Sequence, residues 1–415
     1  MAAKLPLDGI RIADFTWVWA GPYCTLQLAH LGAEVVRIET RTRPCITRLI
    51  PPWPEGKPGL NRSGYFNQYN QGKRSLSLNF KQPEAHEIAR KLIARSDVVV
   101  NNFAHGVMDK MGFGYDVLKK IKPDIIMISL SGYGDTGPYR DYIAYGPAQV
   151  PLSGLSALTG YKGWPPMHSG FSYADPNAGV HGAFAILAAL VHRRKTGEGQ
   201  YIDMSQWECA MALLPEGILD YTFNGREPER IGNADPLMAP HGIFKCLDRP
   251  EQILGITIDQ FVAIACVNDE DWGRLATVMG QPMLAGDAKF ATLVARKTNE
   301  DELEALITAW TSTRRAADVA ESLQQAGIAA AVVADNKYLA EEDPHLRARD
   351  YWVALEHPEV GVRQHAGVPW KLSRTPTVVR APAPQIGQHT DQILSELLGY
   401  SAEEIERLRS RGALE

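Results

Sequence analysis

Asp175 is the residue whose setting could do chemistry. It stands before Pro176 at the head of a helix expected from Asn177 to Lys195, after the small, flexible run Ser169-Gly-Phe-Ser-Tyr-Ala174. Aspartate is a good helix N-cap and proline suits the first helical position, so capping alone would explain both residues. The same place also suits reaction. The dipole and free N–H groups of a helix N-terminus hold a carboxylate ionised, as an attacking carboxylate requires.

Other patterns carry less. Gly132-Tyr-Gly134-Asp-Thr-Gly137 spells G-x-G-x-x-G directly after a strand, but Pro138 follows, then Tyr-Arg-Asp-Tyr and Gly146-Pro147. No amphipathic helix opens there to face a pyrophosphate, and about twenty residues on stands Leu158, not an acid. The first βαβ unit has the reverse defect: Glu39 suits a ribose, yet only Gly21 stands where three glycines belong. A nicotinamide-dependent oxidoreductase is disfavoured on both counts. The five cysteines (Cys24, Cys45, Cys209, Cys246, Cys266) are scattered singly, without Cys-x-x-Cys, and the eleven histidines form no ligand pair on a helix face. Buried thiols in a reducing cytosol are expected, with no disulfide framework and no metal. Trp17 and Trp19 follow the first strand, and alternation with Val18 would turn both to one side. Core and pocket remain equally open for them.

The elements that must position these residues begin with a strand at 10–15, a helix opened by Pro22 and closed by Gly32, and a strand at 34–39. That is a βαβ unit with a parallel pair. The rhythm continues with a helix at 83–95, a strand at 97–101, a helix near 115–120 and a strand at 125–129. Such alternation implies an open, doubly wound α/β domain. Residues 40–72 and 131–172 read as long loops after strands, where ligands bind in open sheets. After the 177–195 helix comes a strand at 200–204. From about residue 225 the pattern changes to a smaller α+β domain, with strands at 242–246 and 253–258 and helices at 259–267, 271–279 and 301–311. The expected division is 1–210 plus 385–415 for the large domain and 226–335 for the small one, with 211–225 and 336–384 as linkers. Ser401-Ala-Glu-Glu404 is a capping box opening the last helix.

The 415-residue length favours two domains, and 45% hydrophobic with 22% charged residues is globular composition. A net charge of -5 argues against nucleic acid, whose phosphates want a basic face. The N-terminus lacks the apolar run of a signal peptide, and the longest apolar stretch, Ala178 to Val191, is too short to span a bilayer. A cytoplasmic protein without membrane partners is expected.

Taken in order, many blocks resemble the class III CoA-transferases, the formyl-CoA transferase and carnitine CoA-transferase group, along nearly the whole chain. They include Pro6-Leu-Asp-Gly-Ile-Arg-Ile-Ala-Asp-Phe15, Ala20-Gly-Pro22, Leu31-Gly-Ala-Glu-Val-Val-Arg-Ile-Glu39 and Lys73-Arg-Ser-Leu-Ser-Leu-Asn79. Further on stand Asn102-Phe103 with Gly106-Val-Met-Asp-Lys-Met-Gly112, Ser131-Gly-Tyr-Gly-Asp-Thr-Gly-Pro138, Asp175, Leu187-Ala-Ala-Leu190, Lys195-Thr-Gly-Glu-Gly-Gln200 and Gly387-Gln-His-Thr390.

The resemblance implies a Rossmann-like large domain built from both chain ends, two interlocked subunits, and Asp175 as the nucleophile. It implies a CoA thioester as substrate, with no permanently bound cofactor, and a carboxylic acid as acceptor. CoA contacts fall by resemblance on Trp19, Ala20, Leu78, Asn79, Lys81, Asn102, Phe103, Ala104, Lys110 and Tyr145. The family's basic position after the second strand falls on Thr40, with Arg41 and Arg43 beside it, and Arg41 is taken as the contact. The acyl pocket falls on Trp17, Trp19, Tyr145 and Gly146. Formyl-CoA transferase has His and Gln at the two tryptophans and Glu at Gly146, so a bulkier, partly apolar acid is implied. The stretch 53–70 looks like the branch acting on succinate derivatives such as benzylsuccinate, with succinyl-CoA as donor. Some members of that branch look like pairs of related subunits, which leaves a hetero-oligomer open beside a homodimer. An α-methylacyl-CoA racemase shares the fold, but its catalytic His falls on Tyr145, whose phenol is a poor base near neutral pH. A CoA-binding partner subunit is a third reading, which the presence of Asp175 opposes.

Overall fold

The computed structural model describes residues 4–251, 255–377 and 379–415. Six strands form one parallel sheet: β1 (Arg11–Asp14), β2 (Glu34–Glu39), β3 (Arg74–Ser77), β4 (Val98–Asn101), β5 (Ile126–Ser131) and β6 (Tyr201–Ser205). Their spatial order is β3-β2-β1-β4-β5-β6, with Ile12 registered against both Val35 and Val98. The chain thus moves outward from β1 in both directions, as in a doubly wound fold. Both faces of the sheet are covered, which is why β4 reads Val-Val-Val without polar alternation. Ile12, Val98 and Val100 enter the core on one face, while Ala13 and Val99 enter the core on the other.

The helices that matter for the site are α1 (Ala20–His30), α2 (Gly64–Tyr69), α3 (Pro83–Ala94), α4 (Val107–Lys110), α5 (Tyr115–Ile121), α6 (Gly146–Leu152), α7 (Leu155–Leu158) and α8 (Ala174–Thr196). Helix α8 packs closely on α1 because Gly179 and Gly182 face it. A Cβ at Gly179 would stand 2.8 Å from the Ala20 carbonyl, and one at Gly182 would stand 3.1 Å from Cys24 Sγ.

The far edge of the sheet is closed by the end of the chain. The Ser75 carbonyl accepts His389 N–H at 3.0 Å and Ser77 N–H donates to Thr390 Oγ1 at 3.0 Å. Leu78 pairs with Leu414, and Ile393, Leu394, Ile405 and Leu408 join the core that holds Leu76, Ile88 and Leu92. The expected capping box is present: Glu404 N–H donates to Ser401 Oγ and Ser401 N–H donates to Glu404.

The chain divides into two compact units, Met1–Ala157, Met167–Glu227 and His345–Glu415 against Leu158–Pro166 and Pro228–Pro344. The second unit is built on a three-stranded antiparallel sheet, Ala329–Val332, Phe261–Ala265 and His241–Lys245. Its core gathers Trp272, Phe290, Leu303, Ile307 and Leu323 from the backing segments. Here one expectation fails: 259–267 is not a helix. Phe261-Val-Ala-Ile-Ala265 alternates buried and half-buried positions and pairs along both edges, so cross-strand bonding wins over a weak helical pattern. Of the strand expected at 253–258, Ile256–Ile258 is observed and residues 253 and 254 lie outside the described residues. The stretches read as loops carry α2, α6 and α7, and those read as linkers carry a helix at Pro215–Asn224 and a hairpin of Trp352–His357 with Gly361–Ala366.

Candidate active site

The strand order reverses between β1 and β4, and there the two carboxyl ends part. Asn102 bridges them. Its side chain accepts Trp17 N–H at 2.7 Å and donates to the Trp17 carbonyl at 2.8 Å. A cavity of about 650 Å³ opens at this edge, walled by segments that follow five consecutive strands. Trp17, Asn79, Lys81, Phe103, Ala104 and Tyr145 line it.

Other residues named from the sequence stand elsewhere. Leu78 is fully buried in the core and does not line the cavity. Arg41 donates to the Ile386 carbonyl at 3.0 Å, while Arg43 lines the cavity with its guanidinium 5.0 Å from the Trp17 ring centre. Lys110 is exposed on α4 and Asn102 is engaged with Trp17.

Trp17 and Trp19 do not share a side. Val18 between them has φ of 62°, a left-handed conformation unfavourable for a β-branched residue, which breaks the extended alternation. Trp17 is left in the cavity beside Phe103, at 6.2 Å between ring centres. Trp19 instead meets Tyr65 at 5.6 Å, Tyr69 at 5.5 Å and Phe171 at 6.2 Å.

Asp175 is the second residue of α8, not its cap. Tyr173 stands at the N-cap position without a capping side chain, and Asp175 N–H donates to the Ser172 carbonyl at 3.1 Å. The carboxylate therefore does not serve as the N-cap of its own helix. It is only 9% exposed, and burial raises its carboxyl from the usual 3.8 to about 7. The N–H groups of Ala20 and of Asp175 itself pull the other way but are outweighed. The expectation of a carboxylate held ionised by the helix end is corrected accordingly: desolvation dominates. Once ionised, such a group is poorly solvated and correspondingly reactive.

Two short steps along the chain join this carboxylate to the cavity. Tyr145 lines the cavity, and at the next residue a Cβ on Gly146 would stand 1.8 Å from Asp175 Oδ2. Trp17 lines it too, and three residues later Ala20 N–H lies near enough to favour the charged form of the carboxylate.

Beneath the head of α1 lies a buried polar network that sets this geometry. Lys73 Nζ donates to the Pro22 carbonyl at 2.9 Å, Thr25 Oγ1 at 2.8 Å and Asn70 Oδ1 at 3.0 Å, and pairs with Asp14 at 3.3 Å. Burial lowers the Lys73 ammonium to about 8 although Asp14 opposes the shift. Glu39 is likewise engaged, bound to Arg48 at 2.8 Å and held by the arginines at about 2 despite burial. Sequence reasoning missed Arg43 as the crevice arginine and missed the tyrosines. Tyr65 and Tyr69, four apart behind the Ser63 cap, were a readable helical signal. Burial, Tyr69 and Asp175 push the Tyr65 phenol up, and burial raises Tyr69 to about 12. Among the described residues no group of three His, Cys, Asp or Glu could hold a metal ion, and no helix is long and apolar enough to cross a membrane.

A parallel sheet of this order with a deep crevice at its reversal point marks a doubly wound α/β protein of the ligand-binding kind. Its family follows from comparison: residues 7–390 match CoA-transferase family III, and the chain belongs to that family. It is 32% identical to a succinyl-CoA–D-citramalate CoA-transferase of Chloroflexus aurantiacus, over 98% of this chain and 97% of the relative. It is 33% identical to a succinate–glutarate CoA-transferase of Agrobacterium fabrum, over 95% of this chain and 96% of the relative. Among solved structures, a CAIB/BAIF family protein from Brucella suis superposes with a TM-score of 0.84 at 32% identity, covering 95% of this chain and 99% of the other. The protein is a CoA-transferase, moving CoA between an acyl-CoA and an acid.

Proposed function

We propose that the protein transfers CoA from succinyl-CoA to a bulkier carboxylic acid, of which an arylsuccinate is one, with Asp175 as nucleophile. The observation that carries this reading is a buried carboxylate joined by two short chain segments to a crevice large enough for a long ligand. Asp175 attacks the thioester carbonyl and expels CoA thiolate, forming a mixed anhydride. The thiolate then attacks the aspartyl carbonyl and releases the donor acid, leaving an aspartyl-CoA thioester. The acceptor carboxylate attacks that thioester, thiolate leaves again, and its return to the acceptor's acyl carbon gives the new acyl-CoA and restores Asp175. One activated acyl linkage, thioester or anhydride, is present at every stage, so no ATP is consumed. Ala20 N–H is the natural donor to the developing oxyanion.

Asn79, Lys81, Phe103 and Ala104 hold CoA along the crevice, with Lys110 nearby, and Trp17 under Arg43 receives the acyl group. The succinyl donor is supported by the relatives named above. A second subunit, identical or related, would cover the apolar stripe of α8, where Val180, Phe184 and Val191 are 51%, 72% and 56% exposed. The reaction belongs to the cytoplasm.

The test is CoA exchange from succinyl-CoA to a panel of dicarboxylic acids, followed by succinate release. Incubation with donor thioester and then hydroxylamine or borohydride should modify the peptide bearing Asp175. Near-normal turnover by Asp175→Ala, or label found only on a cysteine such as Cys24, overturns the reading.

A further inference from the structure

The glycine-rich pattern at 132–137 leads into no helix before Gly146, yet its Asp135 is engaged in an unusual way. The crevice is walled partly by the loop after β4, through Phe103, Ala104 and Val107, and partly by the loop after β5, through Gly132 and Tyr145. These loops meet away from the cavity, where His105 Nδ1 lies 3.1 Å from Asp135 Oδ1. A carboxylate oxygen offers no proton, so Nδ1–H is the donor. Asp135 is itself fixed to β6: its backbone N–H donates to Asp203 Oδ1 at 2.8 Å, and the Tyr201 hydroxyl donates to its second oxygen. Within the β4–α4 loop, Phe103 N–H bonds Asn101 Oδ1 and Val107 N–H bonds the Ala104 carbonyl, both inside the same segment. His105 thus suspends one crevice wall from a strand two places away in the sheet. At 30% and 17% side-chain exposure, the pair is better shielded than a surface contact.

We propose that His105 and Asp135 are positioning residues that latch the two loops together and set the width of the crevice for the CoA-bearing substrate. The substrate's identity rests on the function proposed above; the latch itself does not.

The test compares the parent with His105→Ala, His105→Asn, Asp135→Ala and the double alanine variant. Without ligand, amide hydrogen exchange over 103–111 should quicken in His105→Ala while the melting temperature stays close to the parent's. With free CoA as probe, titration calorimetry should show binding weakened roughly three- to tenfold, the scale of one lost hydrogen bond. The asparagine Nδ2–H can replace Nδ1–H, so His105→Asn should recover most of the affinity. The double variant should be no weaker than Asp135→Ala alone, because the contact that His105→Ala removes is already lost with the Asp135 carboxylate. Unchanged exchange over 103–111, or losses that multiply in the double variant, overturns the latch. A parent that binds CoA but does not pass it from succinyl-CoA to a bulky acid sinks the function proposed above and leaves the latch standing. Faster exchange with unchanged CoA affinity removes the crevice role.

Discussion

Replacing Asp175 by asparagine should make the protein more stable above neutral pH while ending its chemistry. The substitution keeps the shape of the side chain and removes its ionisation. In the parent, burial raises the folded carboxyl from 3.8 to about 7. Between those values the unfolded chain has lost this proton and the folded chain has kept it. The folded state then binds more protons, so stability falls as pH rises. Above about 7 both states are ionised and the loss stops growing. At roughly 1.36 kcal/mol per pKa unit, the full span is about 4 kcal/mol. Denaturant unfolding of both proteins from pH 4 to 8.5 gives the difference directly, since every other titrating group is shared. The advantage of asparagine over its own pH 4 value should rise to about 4 kcal/mol by pH 8. Parent kcat/KM should climb about tenfold per unit below the same pKa and level off above it. A stability difference that stays flat within about 0.5 kcal/mol across the range would refute the claim that burial governs this carboxylate.

Gly146→Ala places a Cβ 1.8 Å from Asp175 Oδ2, so the carboxylate must retreat by more than about 1 Å; kcat should fall roughly a hundredfold, against a stability loss of about 1–3 kcal/mol. Wild-type turnover by this variant would mean that the carboxylate position is not critical. Trp17→His should lose specificity for bulky acids by about tenfold relative to small dicarboxylates, with little change in melting temperature, because Trp17 lines the cavity. Trp19→Gln should instead lower the melting temperature and harm all acids alike, since Trp19 packs among Tyr65, Tyr69 and Phe171; equal behaviour of the two variants counts against this division. Lys73→Met strands the buried Asp14 charge and should cost about 3–5 kcal/mol, much of it restored by a second change, Asp14→Asn, in a denaturation experiment.

The first βαβ unit was legible because a helix with early proline and late glycine between two apolar runs leaves little alternative, as at Arg11–Asp14, Ala20–His30 and Glu34–Glu39. The last helix was legible from Ser401 and Glu404 alone. By contrast β3 carries only Leu76 as an apolar signal. Its Ser75 and Ser77 are held by His389 and Thr390, some three hundred residues away, and no local pattern reports such partners. The apolar run Phe261–Ala265 is too short for periodicity to separate strand from helix. At the candidate site, the aspartate and its helix could be read from sequence, but its protonation could not. That follows from the approach of α1 to α8 through Gly179 and Gly182, a tertiary event. The separation of the two indoles was equally hidden, since nothing about a valine announces a left-handed backbone.

The closure of β3 by the end of the chain also has a cost during synthesis. Leu78 finds its partner only when Leu414 has been made, and until then the outer strand of the sheet and the core around Ile88 and Leu92 lack their cover. At about 5–20 residues per second, that interval lasts roughly 20–70 s on the ribosome. The nascent chain therefore carries an open strand edge and an uncovered apolar face for most of its translation, a window in which that edge is free to pair with another chain.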